Sequence, residues 1–139
     1  MAETLPSGAE RITQWFSISP FGRHVGLRLT RLDKDLAEVV MPFQACLPTL
    51  GDVVHGGAIS TLIDTAATVA AWSGAEAPEG LRGATIALTV NFVGAGRGRD
   101  LTATARIVRR GRSVCFCDVD VTDSDGGLVA KGLVTYKLG

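Results

Sequence analysis

The segment 55–75, HGGAISTLIDTAATVAAWSGA, constrains the fold more than any other part of the chain. Residues 56–74 predict a single helix, which nineteen residues would make about 28 Å long. Asp64 is its only charged residue, whereas a helix with a solvent-exposed face usually carries several Lys, Glu or Arg side chains there. We therefore expect protein to cover this helix on nearly all sides. Its polar side chains include Ser60, Thr61, Asp64, Thr65 and Thr68, and the last four form one stripe at helical spacing.

Patterns typical of β-strands lie on both sides of this helix. Two strands precede it and are joined by a turn at residues 33–35, and four strands follow it. A single helix among six antiparallel strands must be buried against one face of the sheet, which predicts an α+β domain of two layers. The predicted strands are 25–32, 36–41, 84–92, 101–108, 114–122 and 128–138, with hairpin turns at 109–112 and 123–127.

The remaining segments are predicted to be short or irregular. Residues 9–17 predict a short helix with Ile12, Trp15 and Phe16 on one face. For these aromatic residues, and for His24, we expect packing rather than chemistry, although N-terminal elements of this kind can line a pocket. Interruptions are expected at Pro20 and Gly22, across 42–54, and in the loop around Pro78 and Gly80.

Composition is typical of one ordered globular domain. The 139 residues are 46% apolar and 20% charged, and they contain no repeat or linker, so we expect a single domain spanning 1–139. The formal net charge is zero, which argues against nucleic acid or an anionic membrane as a partner. No apolar run reaches the length of about 18 residues that a membrane span needs, and residues 1–8 show no signal-peptide pattern.

The cysteines and histidines argue against a disulfide framework and against a metal site. Three cysteines, an odd number, are present, and Cys115 and Cys117 face the same side of a predicted strand as buried thiols. Only His24 and His55 could complete a zinc site, so we expect no metal and no cofactor. Free thiols and the absence of a signal peptide together predict a cytoplasmic protein.

Two features of the long helix could carry chemistry. His55-Gly56-Gly57 places two glycines at its start, where another group can approach the free backbone N–H donors closely. A helix start favours developing negative charge, as an oxyanion hole for acyl transfer requires. Each feature also has a structural interpretation, because the glycines could merely permit the turn and Asp64 could be bonded to neighbouring hydroxyl groups.

Taken together, these residues resemble a known family. The run His55-Gly56-Gly57-x6-Asp64, followed by Thr85-x5-Asn91-Phe92, resembles the hotdog-fold acyl-CoA thioesterases of the phenylacetate-pathway (PaaI-type) branch. The resemblance extends from about residue 25 to residue 138. It implies a hotdog fold, in which a six-stranded antiparallel sheet wraps one long central helix. It also implies an acyl-CoA substrate, a homodimer joined edge to edge as the minimal active unit, and pairing of dimers into a homotetramer.

The resemblance implies roles for individual residues. Gly56 would donate its backbone N–H to the thioester carbonyl, and His55 would shape the turn. Asp64 would be the nucleophile or the base that activates water, and the Thr85 hydroxyl would assist. Relatives often carry Asn or Gln six residues before the histidine, where this chain has Thr49, and Gln44 is a possible substitute. The expected substrate-binding residues at the helix start are Thr49, Gly57 and Thr61.

Arginines supply the candidate contacts to coenzyme A. Its pyrophosphate and 3′-phosphate need cationic partners, and we expect at least one arginine to contact them. The alternative for each is that a hairpin-tip arginine only keeps the surface charged. The candidates are Arg97, Arg99, Arg109, Arg110 and Arg112.

Helix geometry predicts that the site is shared between subunits. Gly56 and Asp64 are eight residues apart, so they lie about 12 Å apart along one helix. A thioester carbonyl must lie within roughly 3 Å of both the oxyanion donor and the attacking group. Two helices running antiparallel across a two-fold axis meet this requirement, with Gly56 from one chain and Asp64 from its partner.

Other functions on the same fold stay open at this point. A non-catalytic acyl-CoA-binding or sensor module is one alternative, and a hydratase or dehydratase acting on acyl thioesters is another. The hydratases resemble a different pattern, with a histidine near Phe-Pro, which this chain lacks. The sequence leaves the acyl group open among aromatic, medium-chain and hydroxylated acids.

Overall fold

The computed structural model describes residues 7–77 and 80–139. Residues 1–6, which carry most of the expectation about a signal peptide, and Pro78 of the predicted loop lie outside the described residues. The helices are α1 (Gly8–Ile18), α2 (Pro20–Val25) and α3 (Gly56–Ser73). The strands are β1 (Arg28–Asp33), β2 (Leu36–Met41), β3 (Pro48–Leu50), β4 (Val53–Val54), β5 (Gly83–Phe92), β6 (Leu101–Arg110), β7 (Val114–Asp123) and β8 (Leu128–Leu138).

The main sheet has six strands in the order β1-β2-β6-β7-β8-β5, with every neighbouring pair antiparallel. The long helix α3 packs across one face of this sheet, and α1 packs against α3. The predicted α+β hotdog architecture, with a short N-terminal helix, is therefore confirmed. β5 lies at one edge of the sheet and has a strand partner, β8, on one side only within the described chain.

The core lies between α3 and the sheet because strand residues alternate between the two faces. On β6, Leu101, Ala103 and Ala105 are fully buried, as the alternation predicts. The approach of α3 is close, since a Cβ atom at Gly132 of β8 would lie 2.6 Å from Ile63 Cγ2. Glycine at this position is what lets the helix lie so near the sheet.

Pro20 begins a helix, and the prediction that it interrupts the chain was wrong. Proline suits the first position of a helix because its missing N–H needs no partner there. The Ser19 hydroxyl caps α2 by accepting from Gly22 N at 3.5 Å. Gly26 ends the helix with φ +82°, a left-handed conformation that glycine adopts without strain. Strand β1 consequently begins at Arg28 and not at residue 25.

Smaller differences concern the segments around α3. Part of 42–54 forms the hairpin β3–β4, which turns at Gly51 with φ +58°, so the irregular segment is shorter than predicted. Gly74 caps the carboxyl end of α3 and is not a helical residue. Arg109 and Arg110 belong to strand β6, so the turn that follows begins at Gly111. No helix in the described ranges is both long and apolar enough to span a membrane.

Candidate active site

The amino end of α3 leaves one backbone donor available. The His55 side chain caps the helix, with its Nδ1 accepting from Gly57 N at 2.8 Å. The His55 carbonyl accepts from Ala58 N at 3.0 Å and from Ile59 N at 3.1 Å. The Gly56 N–H is thus the first-turn donor with no hydrogen-bond partner in the part of the chain that the structure describes.

The space around Gly56 admits another molecule. Gly56 lines an open cavity of about 410 Å³ together with Thr49 and Phe92. A Cβ atom at Gly56 would lie 3.2 Å from Phe92 Cζ, so even an alanine would crowd the aromatic ring. Glycine therefore keeps this corner narrow but accessible, as close approach of a carbonyl oxygen to the N–H requires.

Asp64 lies at the middle of α3 and is bonded to the neighbouring strand. The Thr85 hydroxyl of β5 donates to Asp64 Oδ1 at 2.6 Å. Asp64 Oδ2 has no hydrogen-bond partner among residues 7–77 and 80–139. The carboxylate is half-buried, with one oxygen held in place and the other able to reach a water molecule or a substrate.

The other hydroxyl groups of the polar stripe do not bond to the Asp64 side chain. Thr61, Thr65 and Thr68 donate back to the carbonyls of Gly57 at 2.9 Å, Thr61 at 2.8 Å and Asp64 at 2.9 Å, respectively. Each hydroxyl has only one hydrogen to donate. Asp64 is bonded to a hydroxyl, as the structural interpretation expects, but that hydroxyl belongs to Thr85 of β5 and not to a threonine of the helix. The stripe is half-buried in the single chain, so the helix is less completely covered than predicted.

Two cavities lie along α3 on the side of α1 and α2. The first, of about 270 Å³, reaches Asp64 and is lined by the aromatic side chains of Trp15, Phe16 and Phe21. The second, of about 300 Å³, lies toward the helix start at His55 and Gly57. Both cavities share Phe21 and Thr61 as lining residues.

Tyr136 is a buried residue of β8 that lies opposite Thr85 in the register of β5 and β8, next to the Asp64–Thr85 pair. Burial raises the pKa of the Tyr136 hydroxyl above its ordinary value, a hydrogen bond from Trp72 opposes that rise, and the Asp64 charge adds to it. Trp72 Nε1 donates to this hydroxyl oxygen at 3.0 Å. Tyr136 therefore stays neutral at physiological pH and supports the fold behind the carboxylate.

The five arginines separate into two groups at opposite ends of α3. Near its amino end, Arg97 pairs with Asp52 at 3.4 Å, and Arg99 pairs with Asp125 and with Asp123. Near its carboxyl end lie Arg109 and Arg112, which are both exposed, and Arg110, which is half-buried.

Arg110 differs from the other four because the fold occupies its guanidinium. Its Nε and Nη2 donate to Asp35 Oδ1 at 2.9 and 2.7 Å. Its Nη1 and Nη2 donate to the carbonyls of Ala71 at 2.9 Å and Ala70 at 3.3 Å. These bonds tie the last turn of α3 to the sheet, which leaves less capacity for a phosphate than the exposed arginines have.

The two residues considered for the missing Asn or Gln lie in different places. Thr49 is exposed on β3 and lines the same cavity as Gly56, so the predicted residue does lie beside the helix start. Gln44 Nε2 donates to the Val25 carbonyl at 2.7 Å, which fixes the end of α2. The amide nitrogen of Gln44 therefore serves the fold.

Sequence reasoning missed Phe21 and underestimated Phe92. Phe21 is brought to the cavities by α2, a helix that the pattern around Pro20 and Gly22 did not predict. Phe92 was noted only as part of the motif, yet its ring packs over Gly56. The available signal for α2 was Ser19 before Pro20, a typical cap followed by proline at the first helical position.

Comparison with known proteins shows the family and the fold. Residues 51–130 match the family model of the thioesterase superfamily. The chain is 30% identical to the medium/long-chain acyl-CoA thioesterase YigI of Salmonella typhimurium, with 86% of each chain covered. The structure matches the Escherichia coli PaaI protein from the phenylacetic acid degradation operon with a TM-score of 0.85 and 24% identity, covering 98% of this chain and 96% of that one. A hypothetical thioesterase of Streptococcus pneumoniae TIGR4, solved with coenzyme A, matches with a TM-score of 0.72 and 27% identity, covering 82% of this chain and 86% of that one.

Proposed function

Because this chain belongs to the thioesterase superfamily, we propose that it hydrolyses an acyl-CoA thioester to the free acid and coenzyme A, with Asp64 as its catalytic carboxylate. The observation that carries this proposal is the Asp64–Thr85 hydrogen bond of 2.6 Å beside an aromatic-lined cavity. It orients one carboxylate oxygen and leaves the other available for chemistry. The acyl-CoA thioesterase YigI, which is 30% identical, supports the choice of substrate class.

Asp64 can act by either of two routes. As a general base, its carboxylate takes a proton from water while the water oxygen bonds to the thioester carbon. The C–S bond then breaks, and the coenzyme A thiolate takes up the proton. As a nucleophile, a carboxylate oxygen bonds to the thioester carbon and expels the thiolate, and water hydrolyses the mixed anhydride. Each route consumes one water molecule and releases one acid and one thiol.

The Gly56 N–H is the proposed oxyanion donor. It is the uncommitted donor of the first turn of α3, and negative charge is favoured at a helix start. Along one helix Gly56 and Asp64 lie about 12 Å apart, too far to act on the same carbonyl. The proposal therefore needs Gly56 from one subunit and Asp64 from its partner.

The edge strand β5 supports a two-fold dimer. It is ten residues long, and its outer edge has no strand partner in the described chain. Its helix-facing side chains remain uncovered, with Leu88 39% and Phe92 53% exposed. Long apolar edges of this kind are usually paired or covered. Pairing β5 with its copy across a two-fold axis would also bring the two α3 helices together in antiparallel orientation.

A homotetramer and a coenzyme A contact complete the proposal. On the sheet face away from α3, Phe116 and Leu133 are exposed large apolar residues, which supports pairing of two dimers there. Exposed arginines at both ends of α3 supply candidate phosphate ligands. All three cysteines are free thiols, as is usual in a reducing compartment, which supports the cytoplasm as the location.

The alternative function is a non-catalytic acyl-CoA-binding or sensor module. A binder gains nothing from a carboxylate whose second oxygen is unpaired next to the acyl group, because desolvating that oxygen weakens binding. The two functions separate in one experiment. Purified protein is incubated with a panel of acyl-CoA substrates, and free thiol is followed over time.

The panel is run in parallel on the wild type and on Asp64→Asn, which keeps the side-chain shape and removes the charge. Cys46 is exposed and would consume the thiol reagent that detects coenzyme A. Both proteins in this comparison, with Asp64 and with Asp64→Asn, therefore also carry Cys46→Ser. We expect the protein with Asp64 to release coenzyme A from at least one substrate at least about 10² times faster than the Asp64→Asn variant does. Equal rates for the two proteins on every substrate would leave the binding module as the better account.

The shared site is tested by mixing two inactive variants. Gly56→Pro removes the N–H at the first helical position, where the backbone accepts proline although the added Cβ presses on the Phe92 ring. Asp64→Ala removes the carboxylate. After subunit exchange, each mixed dimer would contain one intact site, so activity should return toward half of the wild-type value per mixed dimer. Confirmed exchange between folded variants without any recovery would show that the site is not shared between subunits in this way.

A further inference from the structure

The groove between α3 and the helix pair α1–α2 is divided by one side chain. Its inner chamber, of about 270 Å³, begins at Asp64, and its outer chamber, of about 300 Å³, ends at His55 and Gly57. Phe21 and Thr61 line both chambers, so they stand at the boundary. The Thr61 hydroxyl is bonded to the Gly57 carbonyl at 2.9 Å, which leaves Phe21 as the larger barrier.

Both chambers suit an apolar chain. Trp15, Phe16 and Phe21 line the inner chamber, and no charged side chain other than Asp64 reaches it within the described residues. The outer chamber is lined chiefly by apolar side chains, and Cys46, His24 and His55 also line it. The apolar residues are Phe21, Val25, Leu47, Pro48 and Ala58. A cavity of this composition gains affinity from buried methylene groups.

The backbone that carries Phe21 is fixed at both ends of α2, whereas its side chain is more than half exposed. Ser19 caps the start of α2, and Gln44 Nε2 bonds to the Val25 carbonyl at its end, at 2.7 Å. The Phe21 side chain is 59% exposed and stacks on His24 with ring centroids 6.5 Å apart. Rotation of the ring about its side-chain bonds can therefore open the boundary without moving α2.

On the basis of the proposed thioesterase function, we propose that Phe21 sets the preferred acyl-chain length. The carbonyl lies at Asp64, the first carbons of the acyl chain fill the inner chamber, and longer chains must pass Phe21 to reach the outer chamber. The continuity of both chambers with α3, from Asp64 to Gly57, selects an acyl chain of the substrate as the occupant.

The helix rise gives the length at which Phe21 should matter. Asp64 and Thr61 are three residues apart, about 4.5 Å along α3, and Gly57 lies about 6 Å beyond. A zigzag carbon chain with bonds of about 1.5 Å advances about 1.3 Å per bond. Roughly four carbons therefore fit before the boundary, and roughly five more fit beyond it. A six-carbon chain, with five carbons beyond its carbonyl, passes Phe21 by only about one carbon and should depend on it weakly, whereas a twelve-carbon chain also fills the outer chamber and should depend on it strongly.

Substitution of Phe21 in both directions tests the proposal. Phe21→Ala should raise the ratio of kcat/KM for dodecanoyl-CoA over hexanoyl-CoA by about tenfold, the effect of burying about two more methylene groups. Phe21→Trp should lower the same ratio. Ile18→Ala is the matched control, because Ile18 is an exposed apolar residue of α1 that lines neither chamber. An unchanged ratio in both Phe21 variants would overturn the proposal, while absence of turnover in the wild type would instead overturn the thioesterase function.

Cys46 provides a second readout that does not depend on turnover. It is the exposed cysteine and lines the outer chamber, whereas Cys115 and Cys117 are buried. In Asp64→Asn, which keeps the substrate intact, dodecanoyl-CoA should slow alkylation of Cys46 by N-ethylmaleimide at least about fivefold. Hexanoyl-CoA and S-methyl-coenzyme A, which has no free thiol to consume the maleimide, should not. Equal protection by S-methyl-coenzyme A would place the pantetheine arm, and not the acyl chain, in the outer chamber and would overturn the proposal.

Discussion

The two ends of α3 belong to one continuous helix but use their polar groups in opposite ways. At the carboxyl end, Arg110 donates to the carbonyls of Ala70 and Ala71, and Ser73 Oγ accepts from Asp35 N at 2.8 Å. Over the amino half, the Gly56 N–H and one Asp64 oxygen have no partner in the described ranges.

This difference separates stability from chemistry along a single element. Polar groups whose partners lie in the same chain hold the helix to the sheet, and their loss leaves buried groups unsatisfied. Polar groups that lack a partner are free to bind a substrate, and their loss costs the fold little. The comparison therefore predicts that substitutions in the amino half change activity and that substitutions at the carboxyl end change stability.

The largest effect is expected at Asp64. Asp64→Ala should lower kcat by a factor on the order of 10² or more, about 2.7 kcal/mol, because it removes the attacking or water-activating group. The melting temperature and KM should change little. Thr68→Ala, one turn further along the same stripe, is the control and should keep near-native turnover. A near-native kcat in Asp64→Ala would end the assignment of chemistry to the amino half.

Arg110 should show the reverse behaviour. Arg110→Met keeps the aliphatic stem but removes the bonds to Asp35 and to the last carbonyls of α3, so we expect the free energy of unfolding to fall by about 2 kcal/mol. Urea denaturation measures this change, with the exposed Arg109→Met as control. If stability is unchanged and KM for acyl-CoA rises instead, Arg110 is a phosphate ligand and the carboxyl end is not purely structural.

Thr85 sharpens the comparison because it donates a hydrogen bond to Asp64 from strand β5 and not from α3. Thr85→Val keeps the shape and removes the donor, and kcat should fall by about tenfold, in line with one charge-assisted hydrogen bond. Thr85→Ser, which retains the hydroxyl, should restore most of that loss. A loss as large as that of Asp64→Ala would mean that Thr85 takes part in the reaction and does not only orient the carboxylate.

The exposed arginines should give a smaller effect on binding alone. Among single replacements of Arg97, Arg99, Arg109 and Arg112, at least one should raise KM for acyl-CoA by about fivefold through loss of a phosphate contact. Short acyl thioesters that lack the nucleotide should be hydrolysed as before. If all four variants treat the two kinds of substrate alike, phosphate recognition lies elsewhere in the chain.

The smallest effect concerns Cys117, on β7 near the carboxyl end of α3. Burial raises the pKa of the Cys117 thiol from about 9 to about 12. Because the pKa of this thiol is higher in the folded than in the unfolded state, its contribution to stability is fully present below pH 9 and is lost as the pH rises toward 12. By pH 9 the loss should be about 0.4 kcal/mol relative to pH 7, because half of the unfolded thiol is then ionised. Burial also raises the pKa of the Cys115 thiol, so both proteins lose some stability over this pH range. Unfolding curves at pH 7 and pH 9 should therefore show a loss about 0.4 kcal/mol smaller in Cys117→Ala than in the wild type.

The prediction of the fold from sequence succeeded where a single element decides the outcome. The helix start at Gly56 and the stripe containing Asp64 follow from helical spacing, and the structure places them as that spacing requires. Pro20 shows the opposite case, because proline both interrupts chains and begins helices. The cap that decides between these outcomes depends on one Ser19 hydroxyl.

The amino-acid sequence by itself determined the long helix, the six strands of the main sheet, the faces that those strands bury and the position of Asp64 on α3, because these depend on periodicity within a few consecutive residues. Only the tertiary structure decided which of the five arginines is bonded to the last turn of α3, and which oxygen of Asp64 accepts a hydrogen bond. Arg110 meets Asp35 across 75 positions of the chain, and Thr85 meets Asp64 across 21. Such pairings are set by the packing of α3 on the sheet, which brings together residues that no local pattern connects.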